Sequence, residues 1–197
     1  LPAMQFNAAQ AMSLPSLGFT GNQLTFYLVT NRIAVAGETS SVTFLDADAN
    51  YASQWDWQPG GALLALYEAG GNVLWPYNFT SISHPGNGIT FAVTEIFDGS
   101  NVMMYLNGQN KTTVSGSKSF NFGTVILGSR YVSNGYTAYY NGYISEIMLF
   151  NSALSTQDRY VVEQYLSNKW GISMDTDGDG VINTLDPGPT DNMKTLI

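Results

Sequence analysis

The sequence predicts an all-β fold of antiparallel strands, closed near its C-terminus by one helix. Three observations carry that prediction. Short segments with apolar residues at period two recur along the chain, separated by Gly, Asn and Pro. The dipeptides Asp98-Gly99 and Asn107-Gly108 stand between β-forming runs, where two-residue hairpin turns need a positive φ. No helical periodicity alternates with the strands, so a parallel α/β sheet is excluded and a sandwich or barrel remains.

Taken in order, the strand segments are 25–29, 41–45, 62–67, 89–96, 102–106, 124–127 and 143–150. Each is rich in Val, Ile, Thr, Tyr or Phe and ends at a turn-forming residue. The helix follows the last strand, over about 155–169. Ser155 is the expected N-cap, and Asp158 three residues on makes an acidic version of the capping box. Val161 with Tyr165, and Val162 with Leu166, are i, i+4 pairs expected to form its buried stripe. Gly171 is placed to stop it. The helix is expected to plug one end of the sandwich or cover an edge.

Composition narrows the function. Aromatics at 13% of 197 residues supply a core and exclude charge-driven disorder. Charged residues are only 11%, so the polar surface rests on amides and hydroxyls. A net charge of −8 argues against a nucleic-acid partner. No apolar run approaches the ~20 residues of a membrane span, so membrane insertion is not expected. Without cysteine there is no disulfide framework, thiolate metal site or catalytic thiol. The sequence starts at Leu1 without a signal segment, and the expectation of an extracellular or surface-displayed protein places any such segment outside it.

The run from Tyr140-Asn141-Gly142-Tyr143-Ile144-Ser145-Glu146 through Leu154-Ser155, continued by Tyr165-Leu166-Ser167-Asn168-Lys169-Trp170-Gly171-Ile172, resembles the closing segment of laminin-G-like, concanavalin A-like jelly-roll domains. Tyr105-Leu106-Asn107-Gly108 and Ile126-Leu127-Gly128-Ser129-Arg130 resemble that family's hairpin and following strand, in the same order, and Met4-Gln5-Phe6-Asn7 resembles its opening strand. The resemblance spans roughly 4–172. It implies two packed antiparallel sheets in a jelly roll, and a family in which many members bind carbohydrate or protein. Within it, Asn107-Gly108 needs no role beyond its turn, and Glu146 reads as a hydrogen-bonding anchor for a loop rather than an acid.

Beyond residue 172 the chain changes character. Five aspartates face a single lysine there, and the tail carries half the net charge. The expected division is therefore a sandwich over 1–172 and a tail over 173–197. Counted from Asp175, oxygen-bearing side chains fall at positions 1, 3, 5, 9 and 12: Asp175, Asp177, Asp179, Asn183 and Asp186. Gly180 sits at position 6, and Val181 at position 7 offers a carbonyl. That is the donor set of a calcium loop, since calcium takes six to eight hard oxygens and clustered carboxylates repel one another without a cation. Asp instead of Glu at position 12, with no flanking helix pair, argues against a helical calcium sensor. With the following Pro187-Gly188-Pro189, the loop resembles a thrombospondin type 3 repeat, a calcium-dependent spacer. On this reading, losing Asp177 and Asp179 abolishes calcium uptake and leaves the sandwich's unfolding nearly unchanged.

Candidates for ligand contact are aromatic. Trp55 and Trp57, two apart, lie on one face if the segment is a strand, where they form a stacking platform or fill the core. Trp75, Tyr131 and Tyr136 lie in Asn/Gly-rich, loop-like surroundings suited to gripping a sugar ring. Asp46, Asp48 and Asn50 read as a solvated turn, and Asn78 and Asn110 as sequons. His84 is the only histidine, and the five glutamates (38, 68, 95, 146, 163) form no close acidic set of the glucanase kind, so no catalytic residue is expected. The function predicted is a non-catalytic carbohydrate-binding or adhesion module with a calcium-binding spacer, bound to a polysaccharide or glycan. The alternatives are a structural domain recognising a protein partner, and an accessory or degenerate form of a polysaccharide hydrolase.

Overall fold

A computed structural model describes residues 1–34, 37–46, 51–57, 85–115, 119–132 and 135–191. Among these the chain forms β1 (Met4–Asn7), β2 (Met12–Leu14), β3 (Phe19–Gly21), β4 (Leu24–Arg32), β5 (Thr39–Asp46), β6 (Tyr51–Trp57), β7 (Thr90–Phe97), β8 (Asn101–Leu106), β9 (Gln109–Ser115), β10 (Phe120–Leu127), β11 (Arg130–Val132), β12 (Gly135–Thr137), β13 (Asn141–Phe150) and α1 (Thr156–Trp170). One sheet has the order β1-β13-β4-β7-β8-β9. The other runs β2-β10-β5-β6, with β3 pairing the far end of β10. All pairings within these two sheets are antiparallel. The predicted segment 62–67 lies outside the described residues.

The core lies between the two sheets. Phe26, Leu28, Phe91 and Val93 face it from the six-stranded sheet, and Val42, Phe44, Phe122, Val125 and Leu127 from the other. Phe44 is the hinge of this packing, edge-on to Phe26 at 5.6 Å and stacked on Phe122 at 4.7 Å. Tyr140, one of the tyrosines with a loop-like sequence context, is fully buried here. Its hydroxyl lies 2.5 Å from that of Thr30, and burial pushes its pKa upward.

A second apolar cluster covers the outer face of the six-stranded sheet. Tyr27, Val29 and Ala92 meet Leu166 of α1 and Ile172 and Met174 of the tail, with Met148, Phe150 and Trp170 at its margin. The helix thus lies on a sheet face, neither plugging an end nor capping an edge. The reason is in β4, which is buried along almost its whole length because both of its faces are covered. A bulge in β13 between Ile144 and Glu146 also changes side-chain parity. Ile144 enters the inner core, whereas Met148 and Phe150 pack in the outer cluster.

The helix is capped as expected. Ser155 Oγ accepts from the Asp158 amide at 3.1 Å, and Gly171, at φ 68°, donates its N–H to the Ser167 carbonyl. Of the expected stripe, Leu166 is buried and Val162 packs against the outer cluster, but the other pair does not face inward. Val161 is 62% and Tyr165 44% exposed, whereas Arg159, Glu163 and Leu166 are buried. The stripe 159–163–166 has helical spacing but carries an ion pair, so its hydrophobic pattern is hidden.

A candidate cation loop and an aromatic hairpin

The hairpin turn between β8 and β9 is the seat of the tail. Asn107 (φ 48°) and Gly108 (φ 85°) both take the left-handed conformation that a two-residue turn of this hand requires. Asn107 closes back on β7: its N–H donates to the Ala92 carbonyl and its Oδ1 accepts from the Ala92 amide, each at 2.9 Å. Its own carbonyl then accepts from the Asp175 amide at 3.0 Å. A Cβ on residue 108 would stand 2.7 Å from the Asp175 carbonyl oxygen, so the glycine also admits the tail's backbone.

From there the chain wraps into the acidic loop. Asp175 Oδ1 accepts from the Gly178 amide, and Oδ2 from the Gly180 amide and from Gln109 Nε2 at 2.8 Å. Asp177 Oδ1 accepts from the Asp179 amide, and Asp179 Oδ1 from that of Val181. Carboxylate oxygens of Asp175, Asp177 and Asp179 all lie within 4.8 Å of one another. Asp179 is 3% exposed, yet its Oδ2 has no hydrogen-bond partner, and neither has Asp186 Oδ2. A buried carboxylate oxygen left without a donor, as at Asp179, beside two further carboxylates is what a hard cation satisfies; the predicted ligand Asp186 is not grouped with these three. The residues present therefore fit calcium. Asn183 also engages Thr176: Oδ1 accepts from the Thr176 amide at 2.8 Å and Nδ2 donates to Thr176 Oγ1 at 2.7 Å.

Thr176 also ties the loop to the helix. Its hydroxyl donates to Glu163 Oε2 at 2.5 Å, and its carbonyl accepts from Arg159 Nη2 at 2.6 Å. Arg159 lies 3.2 Å from Glu163 Oε1, reaches the Gly108 carbonyl, and stacks 4.0 Å from the centre of the Tyr105 ring. Burial holds the Glu163 carboxyl above the usual carboxylate range, against the pull of Arg159. Sequence reasoning missed this node, because two charged residues on a helix read as a solvated face. Beside it a cleft of about 510 Å³ is lined by Tyr105, Gln109, Asn110, Asp177 and Asp191 among others.

The aromatic candidates fall into two groups. Tyr131 and Tyr136 face each other across the β11–β12 hairpin, ring centres 5.1 Å apart at 62°, with Tyr136 42% exposed. The hairpin's base is fixed: the buried Ser129 hydroxyl lies 2.8 Å from the Thr137 carbonyl, the Ser129 carbonyl accepts from Thr43, and Arg130 pairs with Glu38. The backbones of Trp55 and Trp57 pair with Val42 and Thr39 on β5. Their side chains, together with Trp75, His84, Asp48, Asn50 and Asn78, lie outside the described residues. Asn110 is exposed on β9.

Glu146 holds the helix where a loop was expected. It accepts from Tyr165 Oη at 2.9 Å, Lys169 Nζ at 3.0 Å and Trp170 Nε1 at 2.5 Å.

Compared with known families, residues 6–158 match the laminin G-type profile described as the concanavalin A-like lectin/glucanases superfamily. The chain belongs to that superfamily. Domain 4 of AbnA, an extracellular arabinanase from Geobacillus stearothermophilus solved with arabinotriose, shares the superfamily fold with a TM-score of 0.62 and 18% identity, over 78% of this chain and 72% of that one. The heptameric SAP-like pentraxin of Limulus polyphemus gives 0.60 and 18%, over 77% and 76%. The CBM40 of Ruminococcus gnavus IT-sialidase, bound to α2,3-sialyllactose, gives 0.56 and 11%, over 82% and 95%. At these identities the likeness is one of fold. Comparison with curated protein sequences found no match. No helix among the described residues is long and apolar enough to cross a membrane.

Proposed function

We propose that this chain is a non-catalytic, extracellular or surface-displayed carbohydrate-binding module whose C-terminal loop takes calcium. The observation that carries the sugar reading is the Tyr131–Tyr136 hairpin: two aromatic rings held on a fixed base, one of them well exposed. Aromatic faces cover the apolar C–H face of a pyranose, and surrounding amides and hydroxyls exchange hydrogen bonds with sugar hydroxyls at lower desolvation cost than charges. Trp55, Trp57 and Trp75 remain candidates to extend that surface. The superfamily fold, and structural neighbours solved with arabinotriose and sialyllactose, support the same reading.

The non-catalytic part rests on the four glutamates among the described residues, Glu68 lying outside them. Glu38 pairs with Arg130, Glu146 receives three donors, Glu163 pairs with Arg159, and Glu95 is buried at 1% exposure. Calcium is assigned to Asp175, Asp177, Asp179 and Asp186 with the Val181 carbonyl. Asn183, whose Oδ1 already accepts from the Thr176 amide, is assigned directly or through water. Bound there, calcium neutralises the carboxylates that crowd the loop. Affinity electrophoresis against a polysaccharide panel, with reducing-sugar assays in parallel, tests the proposal. Retardation with a Kd of about 10 μM to 1 mM and no turnover is expected. Turnover of any polysaccharide would overturn the non-catalytic reading, and indifference to the whole panel would overturn the sugar reading.

A further inference from the structure

We infer that cation occupancy of the 175–186 loop controls how firmly α1 and the β8–β9 hairpin are seated on the six-stranded sheet, so that calcium stabilises the sandwich itself. The inference rests on the calcium assignment above. It reverses the expectation of a separable spacer, because the loop's first residues belong to the packed structure. Ile172 and Met174 are buried against Tyr27, Val29 and Ala92. Asp175, a proposed ligand, lies with its backbone on Gly108 and one carboxylate oxygen on Gln109. Thr176, the next residue, donates to Glu163 and accepts from Arg159, both in the buried face of α1.

Charge makes the coupling directional. Three carboxylates with oxygens within 4.8 Å repel one another when no cation lies between them. Opening the loop relieves that repulsion, but it draws Asp175 from Gln109 and Thr176 from the helix. Arg159 and Glu163 then lose buried hydrogen bonds that offset their desolvation. A cation removes the repulsion in the seated geometry, and the orphaned Asp179 Oδ2 shows that this geometry has donor capacity left for it. A ligand that binds the seated form better than the open form must shift the balance toward seating. By reciprocity, contacts that favour seating must raise cation affinity. Asp177 and Gly178 also form part of the wall of the 510 Å³ cleft, so seating sets that cleft's shape as well.

The test uses the full chain, stripped of metal, with calcium chloride added and magnesium chloride as comparison. Calcium uptake is read by titration calorimetry and unfolding by the far-ultraviolet β-sheet signal. A single transition is expected to rise by about 5–10 °C at a hundredfold excess of calcium over its Kd. Gln109→Ala and Thr176→Val are expected to weaken calcium binding roughly tenfold, with Tyr136→Ala leaving it unchanged. Should Thr176→Val fail to fold, Gln109→Ala, at a partly exposed site, carries the comparison. Calcium uptake with an unmoved sheet transition would sink the coupling and leave the calcium assignment standing. Failure to take up calcium at all would sink both.

Discussion

Glu146 shows how one side chain can organise an element. Tyr165, Lys169 and Trp170 all donate to it, so the last turn of α1 is bound to β13 through a single carboxylate. Burial raises its pKa, but the three donors together outweigh that effect and leave it below the ordinary value of 4.5. The folded state therefore favours the ionised form. Its stabilisation is present above about pH 4.5 and is lost as pH falls through the depressed folded pKa. Glu146→Gln is expected to cost about 1–2 kcal/mol at pH 7, a figure reduced because Lys169 is a third exposed. Urea midpoints of wild type and variant should converge as pH is lowered from 6 to 3; a constant gap would contradict the assignment. Gly108 is the other decisive position. Gly108→Ala combines a strained φ with a backbone collision against Asp175 and is expected to cost roughly 2–4 kcal/mol. Gly171→Ala, equally left-handed but with open space around its Cβ, should cost only about 1 kcal/mol by the same unfolding measurement.

At the scale of elements, α1 depends on a short apolar contact and a long polar one. Leu166 is its fully buried aliphatic anchor. Leu166→Ala should cost about 2–5 kcal/mol, checked by denaturant unfolding, because the sheet beneath cannot collapse into the space. Strand positions were legible from alternation and turn residues, as at Asp98, whose Oδ1 accepts from the Ser100 and Asn101 amides just where the Asp-Gly signal stands. The three-residue strands β2, β3, β11 and β12 were not, since so few residues show no period, and neither was β9, whose sequence Gln109–Ser115 contains a single apolar residue. The helix was legible through Ser155 and Gly171. The Val162–Leu166 side of its buried face was legible too, but the charged side was not, because Arg159 and Glu163 are held inside by partners from Gly108 and Thr176, distant in sequence. Tyr140 likewise has a loop-like local sequence, and its burial depends on the inner core and on Thr30, both distant in sequence.

Across the whole molecule, the sandwich supplies a rigid frame with two features of different chemistry. The Tyr131–Tyr136 hairpin is anchored through Ser129 and Arg130. The acidic loop is tied into the outer face of the other sheet through Gly108, Arg159 and Glu163. Replacing both tyrosines by Ala should weaken glycan retention at least fivefold while leaving the unfolding midpoint within about 2 °C, since neither belongs to either apolar cluster. The acidic motif was legible as chemistry from its spacing alone. Its attachment to the sandwich was not, because that attachment is made by backbone groups and by polar side chains with no pattern of their own.

The most direct measurement of the central claim is amide chemical-shift mapping of the labelled full chain, titrated in calcium with whichever oligosaccharide the polysaccharide panel identifies. The account predicts fast-exchange shifts concentrated at 130–137, saturating with a Kd of about 10 μM to 1 mM and abolished in the double tyrosine variant. Shifts that saturate while the 130–137 amides stay unmoved, or no shifts with any saccharide, would contradict it.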